Sequence, residues 1–379
     1  MTNDLERCLQ KENSRNYGID LLKLVSMFMV VQLHTLSAGA LISASPMTLN
    51  YEAGFLMEAL TYCCVNCFAL ASGYIGVNTQ FKYRRIIPIW LEVVFYNVLC
   101  TVIFAYIKQD VSVFAEPAAL KRAFFPVINK SYWYFTAYFA LFFFIPYLNM
   151  GLSKMREKQA LALILSVICV YIAIPYFSKQ DLYSVNNGYS AVWLILLYAT
   201  GAALKKINIK RYVKRNWVFL VLYIVFAVLA WAGKYVTEYK TASAGSFASD
   251  RLFINYTSLP IFLSSISLVL FFAELNIKNV KFKKAVRYLA PAAFGVYIIH
   301  TNSYVFSLPM WGNMAALASK PWYIMILSVF RNAVVIYAVC IFIDLIRIQL
   351  FRLLRIGKII DEICSRAHKT NEQGKTKVV

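Results

Sequence analysis

Ten apolar stretches recur along the chain, each near the roughly 20 residues that a helix needs to cross a bilayer core. They read as 19–42, 52–76, 86–107, 131–149, 159–177, 188–204, 216–235, 253–273, 286–307 and 322–346. Charged residues make up only 15% of the sequence and hydrophobic ones 60%, where a soluble chain carries about 25% charge. Ten such helices use about half of the 379 residues and leave short loops, with no room for a sizeable soluble domain. Gly73, Pro88 and Pro146 fall inside spans, which helices in lipid tolerate. The fold class that follows is all-α, a polytopic integral membrane protein of about ten transmembrane helices. Residues 1–18 form a polar N-terminal segment without the apolar core of a signal peptide. Residues 19–346 form the membrane domain and 347–379 a basic tail ending in a polar, disordered stretch.

The Lys and Arg residues alternate in density from loop to loop. The N-terminal region, every second loop and the tail hold 29 of the 39, the remaining loops hold nine, and Arg331 lies within a span. The positive-inside rule then puts both termini in the cytoplasm. It also accounts for the net charge of +21. Charge spread over many short loops on one membrane face argues against nucleic acid as a partner; anionic membrane lipid is the expected one. Cys63, Cys64 and Cys67 read as small packing groups within the second span, and no metal site is expected. Cys8 and Cys364 face a reducing compartment, so no disulfide is expected.

The first span carries ionisable residues, which are costly in lipid and mark a pathway or a site. Lys23 and His34 are eleven residues apart, almost a whole number of helical turns, so both project from one face roughly 16 Å apart along the axis. Asp20, three residues before Lys23, can hold its ammonium in place. A cation at the inner face with a histidine far above it suits an elongated anionic ligand, and coenzyme A has that shape. The alternative is a snorkelling lysine plus a histidine packed between helices. Ser72 lies near the inner face, and Arg84 and Arg85 follow in the next loop, where guanidinium forks suit phosphate. His300 sits in the ninth span at a depth close to that of His34.

The strings IDLLKLVSMFMVVQLH, FALASGY, YRRIIP, SYWYFTAYFALFFFIPYL and FGVYIIH, in that order, resemble the motifs of acyltransferase family 3, a group of bacterial inner-membrane proteins. The resemblance covers nearly all the chain and is nearest to the surface-polysaccharide O-acetyltransferases. It implies transfer of an acyl group, commonly acetyl, from cytoplasmic acetyl-CoA or another acyl-CoA to a glycan hydroxyl or a lipid-linked saccharide at the outer side. The family's first-helix arginine is Lys23 here, which keeps the charge but loses the bidentate fork, leaving Arg84 and Arg85 to carry it.

On that reading His34 is the catalytic base, and Lys23, Asp20, Ser72, Arg84 and Arg85 form the donor site. Imidazole titrates near neutrality and takes a hydroxyl proton readily. Arg331 is placed to meet the thioester oxyanion, and Glu58 either orients His34 or pairs with Arg331. His300 is a second base, a donor or a packing partner. Tyr132 and Trp133, at the outer end of the fourth span, either stack on a sugar or belong to an interfacial belt. A transporter without acyl-transfer chemistry is the competing reading, with Asp20, Glu58, Arg331 and Asp344 as its path.

Overall fold

A computed structural model describes residues 15–109, 121, 123–247, 251–306 and 314–375, and every regular element among them is helical. In chain order the helices are α1 Tyr17–Ala40, α2 Leu49–Gly76, α3 Tyr83–Lys108, α4 Trp133–Leu152, α5 Glu157–Ser178, α6 Ala191–Lys206, α7 Trp217–Ser243, α8 Leu259–Ala273, α9 Val280–Leu289, α10 Ala293–His300, α11 Trp322–Leu353 and α12 Ile356–Lys375. By length and composition seven of them can cross a membrane: α1 to α5, α7 and α11.

The other three expected positions hold shorter pieces. α6 has 16 residues and α8 has 15. The expected continuous span 286–307 is broken, because a 3₁₀ turn at Ala290–Ala292, built around Pro291, separates α9 from α10. α10 is only eight residues long and almost wholly buried. A helix enclosed by other helices need not match the bilayer, because protein rather than lipid surrounds it. The tail also departs from expectation: α12 keeps it helical as far as Lys375.

α2 lies at the centre, with 78% of its most apolar window buried against 17% for α5. Small residues allow this. A methyl group on Gly73 would overlap the Tyr198 carbonyl, and one on Gly201 would overlap the Leu70 carbonyl, so α2 and α6 touch backbone to backbone. Cys67 packs α2 against α8, its sulfur 3.8 Å from the Ser265 carbonyl.

α1 is held at several heights. Asn16 caps its start by accepting from the Ile19 amide at 3.0 Å and donating to the Ala273 carbonyl at the end of α8 at 2.9 Å. Deeper along the helix, Tyr337 of α11 donates to the Leu24 carbonyl at 3.0 Å. The regular helix runs through Thr35, and a π-turn over Leu36–Ala40, with Gly39 at φ 139°, closes it. Lys23 and His34 therefore sit on a rigid, regular rod.

Candidate active site

The two membrane histidines are in contact. His34 Nδ1 lies 2.9 Å from His300 Nε2, and His300 Nδ1 lies 2.5 Å from the Val296 carbonyl. A carbonyl only accepts, so Nδ1 of His300 carries its proton. Nε2 of neutral His300 then accepts from Nδ1–H of His34. That leaves the lone pair of His34 Nε2 without a hydrogen-bond partner among the described residues. His34 lines a cavity of about 350 Å³ that His300 does not reach. The arrangement is a base held in one tautomer by a buried second histidine.

Lys23 lines the same cavity, as its eleven-residue spacing from His34 predicts. A second compartment of about 310 Å³ adjoins the first. Lys23, Ser72, Ile89 and Tyr138 face both compartments, and Arg85 lines the second one only. Lys23, Ser72, Arg85 and His34 thus lie along one passage. Asp20 binds Lys23 Nζ at 3.5 Å, as expected, but its shorter contact is to Arg15 Nε at 2.5 Å. Arg15 is therefore an additional cation at this end of α1.

Arg84 does not join Arg85 at the passage. It forms an ion pair with Asp361 of α12, so its guanidinium is directed to the tail.

Three other expected site residues lie elsewhere. Arg331 is exposed, and its described hydrogen bond is to its neighbour Asn332 at 3.4 Å. The buried face of α11 runs through Met325, Val329, Ala333, Ile336 and Cys340, and Arg331 is on the opposite side of that stripe. Glu58 pairs with Arg251 at 3.3 Å and, among the described residues, makes no hydrogen bond or ion pair with His34 or Arg331. Tyr132 is buried, donating to Asn97 Oδ1 at 2.8 Å and accepting from Asn302 at 3.0 Å, so its hydroxyl is engaged within the bundle. Trp133 is different. It lines the His34 cavity, with Tyr189 and Tyr256 packed against it at 4.6 and 6.1 Å between ring centres.

Among the described residues two buried charge clusters stand out, of which the sequence pointed only to the single members Asp344 and Glu58. In the first, Arg347 holds Asp344 in a bidentate pair at 2.7 and 2.9 Å, Tyr96 donates to Asp344 at 2.8 Å, and Glu92 lies 3.2 Å from Arg347. Glu92 also lines the His34 cavity. The Asp344–Arg347 spacing of three residues hints at a pair within one helix, but only the fold brings Glu92 to it. In the second, Lys234 is wholly buried on α7, 2.6 Å from Glu238 and 3.8 Å from Glu52, with the Phe55 and Tyr51 rings at 3.5 and 4.0 Å. Glu58, paired with the exposed Arg251, borders this group, and Arg251 lies 5.9 Å from the same Phe55 ring. A fully buried lysine survives in such a place through paired carboxylates and ring faces.

A bundle with seven helices long and apolar enough to cross a membrane, around a histidine-bearing passage, defines a multi-pass membrane protein. A family model described as an acyltransferase domain matches residues 16–344, and the chain belongs to acyltransferase family 3. The same comparisons find no match among curated proteins or among solved structures.

Proposed function

We propose that the protein is an O-acyltransferase of a bacterial inner membrane that moves an acetyl or other short acyl group from cytoplasmic acyl-CoA to a hydroxyl of a cell-surface glycan or its lipid-linked precursor. The observation that carries this reading is the passage itself. Cations at one end, Arg85 and Lys23, are joined through an apolar passage to an imidazole with an open lone pair. A donor with a phosphorylated head, a thin arm and a thioester tip fills such a shape in one orientation only.

In this mechanism Arg85 and Lys23 bind the nucleotide phosphates, and Ser72 lies beside the arm. The acceptor hydroxyl gives its proton to His34 Nε2 while its oxygen attacks the thioester carbonyl carbon. The tetrahedral intermediate collapses with cleavage of the carbon–sulfur bond. The departing thiolate takes the proton back from His34, leaving CoA thiol and an ester. His300 keeps Nδ1 of His34 protonated and stabilises the imidazolium that forms between the two steps.

The acceptor comes from the other side. Trp133 and Tyr256 form the aromatic wall of the His34 cavity, and rings of this kind stack on sugar faces. Asn255 and Thr257, on either side of Tyr256, line a separate cleft of about 750 Å³ against the end of α5. One segment thus forms a partition between the two spaces. The orientation with both termini cytoplasmic places Arg85 inside and this cleft outside.

Titration of the purified protein with CoA and 3′-dephospho-CoA tests the donor assignment. Neutralising Arg85 is expected to weaken CoA binding by roughly 1.5–3 kcal/mol, the range of a charge-assisted hydrogen bond. CoA affinity unchanged by neutralisation of both Lys23 and Arg85 would remove the phosphate role and return these residues to topological anchors.

A further inference from the structure

Glu92 is an acidic residue of the passage that the mechanism above leaves unused. It is 7% exposed and lies one turn beyond Ile89 on α3. Ile89 faces both compartments, whereas Glu92 faces only the one that holds His34. Arg85, Ile89 and Glu92 therefore mark successive depths along one helix, with Glu92 roughly 10 Å beyond Arg85 at 1.5 Å per residue. Lys23 and His34 bracket the same interval on α1. A donor held by its phosphates at Arg85 and by its thioester at His34 passes Glu92 with its arm.

The carboxylate of Glu92 is half satisfied. Oε2 lies 3.2 Å from Arg347. Oε1 has no hydrogen-bond partner among the described residues and is turned away from the open space, so a rotation of the carboxyl group, a soft torsion, is what brings it to the cavity that Glu92 lines. Arg347 does not complete it: Nε and Nη2 hold the two oxygens of Asp344, Nη2 also faces Oε2 of Glu92, and no donor of the described residues reaches Oε1, while Tyr96 closes the Asp344 group from the other side. A buried acceptor left unpaired is costly, and native structures rarely keep one unless a ligand or water completes it. The arm of coenzyme A poses the complementary problem. Its two secondary amides carry N–H donors that must enter a passage walled by Ile89, Met27, Val30 and Phe294.

We propose that Glu92 receives an amide N–H of the acyl-CoA arm, and that the Arg347–Asp344–Tyr96 group holds its carboxylate in position for that contact. Glu92 is then a specificity-determining residue for the amide-bearing arm, distinct from the phosphate contacts at the mouth. The inference rests on the acyl-CoA reading of the passage. It also predicts the effect of the most conservative substitution. In Glu92→Gln the guanidinium of Arg347 takes the carboxamide oxygen, since it can only donate, and the NH₂ group is turned toward the arm, where a second donor is the wrong partner.

The test uses the full chain in detergent and four probes: acetyl-CoA, acetyl-pantetheine, and the two acetyl-pantetheine analogues in which one or the other arm amide is replaced by an ester. Glu92→Gln is expected to weaken acetyl-CoA and acetyl-pantetheine by the same factor, about tenfold or more. Neutralising Arg85 is expected to weaken acetyl-CoA alone. The unaltered protein is expected to bind one ester analogue about tenfold less tightly than the amide, and Glu92→Gln to show no such preference. The ester comparison on the unaltered protein stands even if the variant does not fold. Equal binding of amide and ester probes by the unaltered protein, or acetyl-pantetheine affinity unchanged in a folded Glu92→Gln, overturns the inference while leaving the phosphate contacts intact. Failure of the unaltered protein to bind acetyl-CoA or acetyl-pantetheine overturns the acyl-CoA reading, and this inference with it.

Discussion

His300 contacts His34 through one ring nitrogen and the Val296 carbonyl through the other. Its Nδ1 is fixed by the Val296 carbonyl and its Nε2 by His34, so it can accept one proton bond and set one tautomer. Replacing it with phenylalanine keeps the bulk and removes that acceptor. His300→Phe is expected to lower kcat by about 100-fold or more while leaving acetyl-CoA binding unchanged, because loss of a tautomer-setting partner slows chemistry without touching the donor site. Rapid-quench turnover together with donor titration reads the two quantities separately, and an equal loss in both would make His300 a packing residue. Lys23→Arg is expected to be tolerated or to tighten donor binding, since the fork adds a second donor toward phosphate. At this scale the sequence was informative wherever one helix carried the relation. Lys23, Asp20 and His34 share α1, and their spacing gave both the shared face and the ion pair. The phase of α11 also held the information that Arg331 points away from the core, through the stripe from Met325 to Cys340. Glu92 and Arg347 are joined only by the packing of α3 on α11, and no periodicity within either helix reports that contact.

Between helices, the tightest restraint is the crossing of α2 and α6. Gly73 faces the Tyr198 carbonyl and Gly201 faces the Leu70 carbonyl, so neither position has room for a side chain. Ser72, next to Gly73, lines both compartments of the passage, which ties this crossing to the site. Gly201→Leu is expected to destabilise the protein by about 1–3 kcal/mol or more, the cost of overpacking a tight interface. Thermal unfolding in detergent should show the fall, and a melting temperature equal to that of the unaltered chain would mean that α6 is free to move outward. The long apolar helices were legible because hydropathy alone specifies them. The α9–α10 break was not, because Pro291 is tolerated inside a membrane helix and only the tertiary surroundings decide whether it kinks or interrupts one. The helical tail was missed for a different reason. Its composition is polar, yet α12 is amphipathic, with Ile356, Ile359, Ile360 and Ile363 at helical spacing.

For the whole molecule, the proposed orientation rests on the 29-to-9 division of Lys and Arg. Reporter fusions at Gly151, beyond the apolar body of α4, and at Gln180, just after α5, are expected to read cytoplasmic and outside respectively. The same side for both would contradict the proposed topology. The orientation matters for the proposed function: with Arg85 and Lys23 at one end of the passage and the Trp133–Tyr256 wall lining the His34 cavity, the proposal has donor and acceptor arriving from opposite faces. The central claim is that His34 is the base that activates the acceptor. The direct measurement is transfer of labelled acetyl from acetyl-CoA to membrane glycan by the unaltered protein and by His34→Ala at equal amounts in the membrane. The expected result is abolished transfer with acetyl-CoA affinity retained; transfer within a few-fold of the unaltered protein would contradict it.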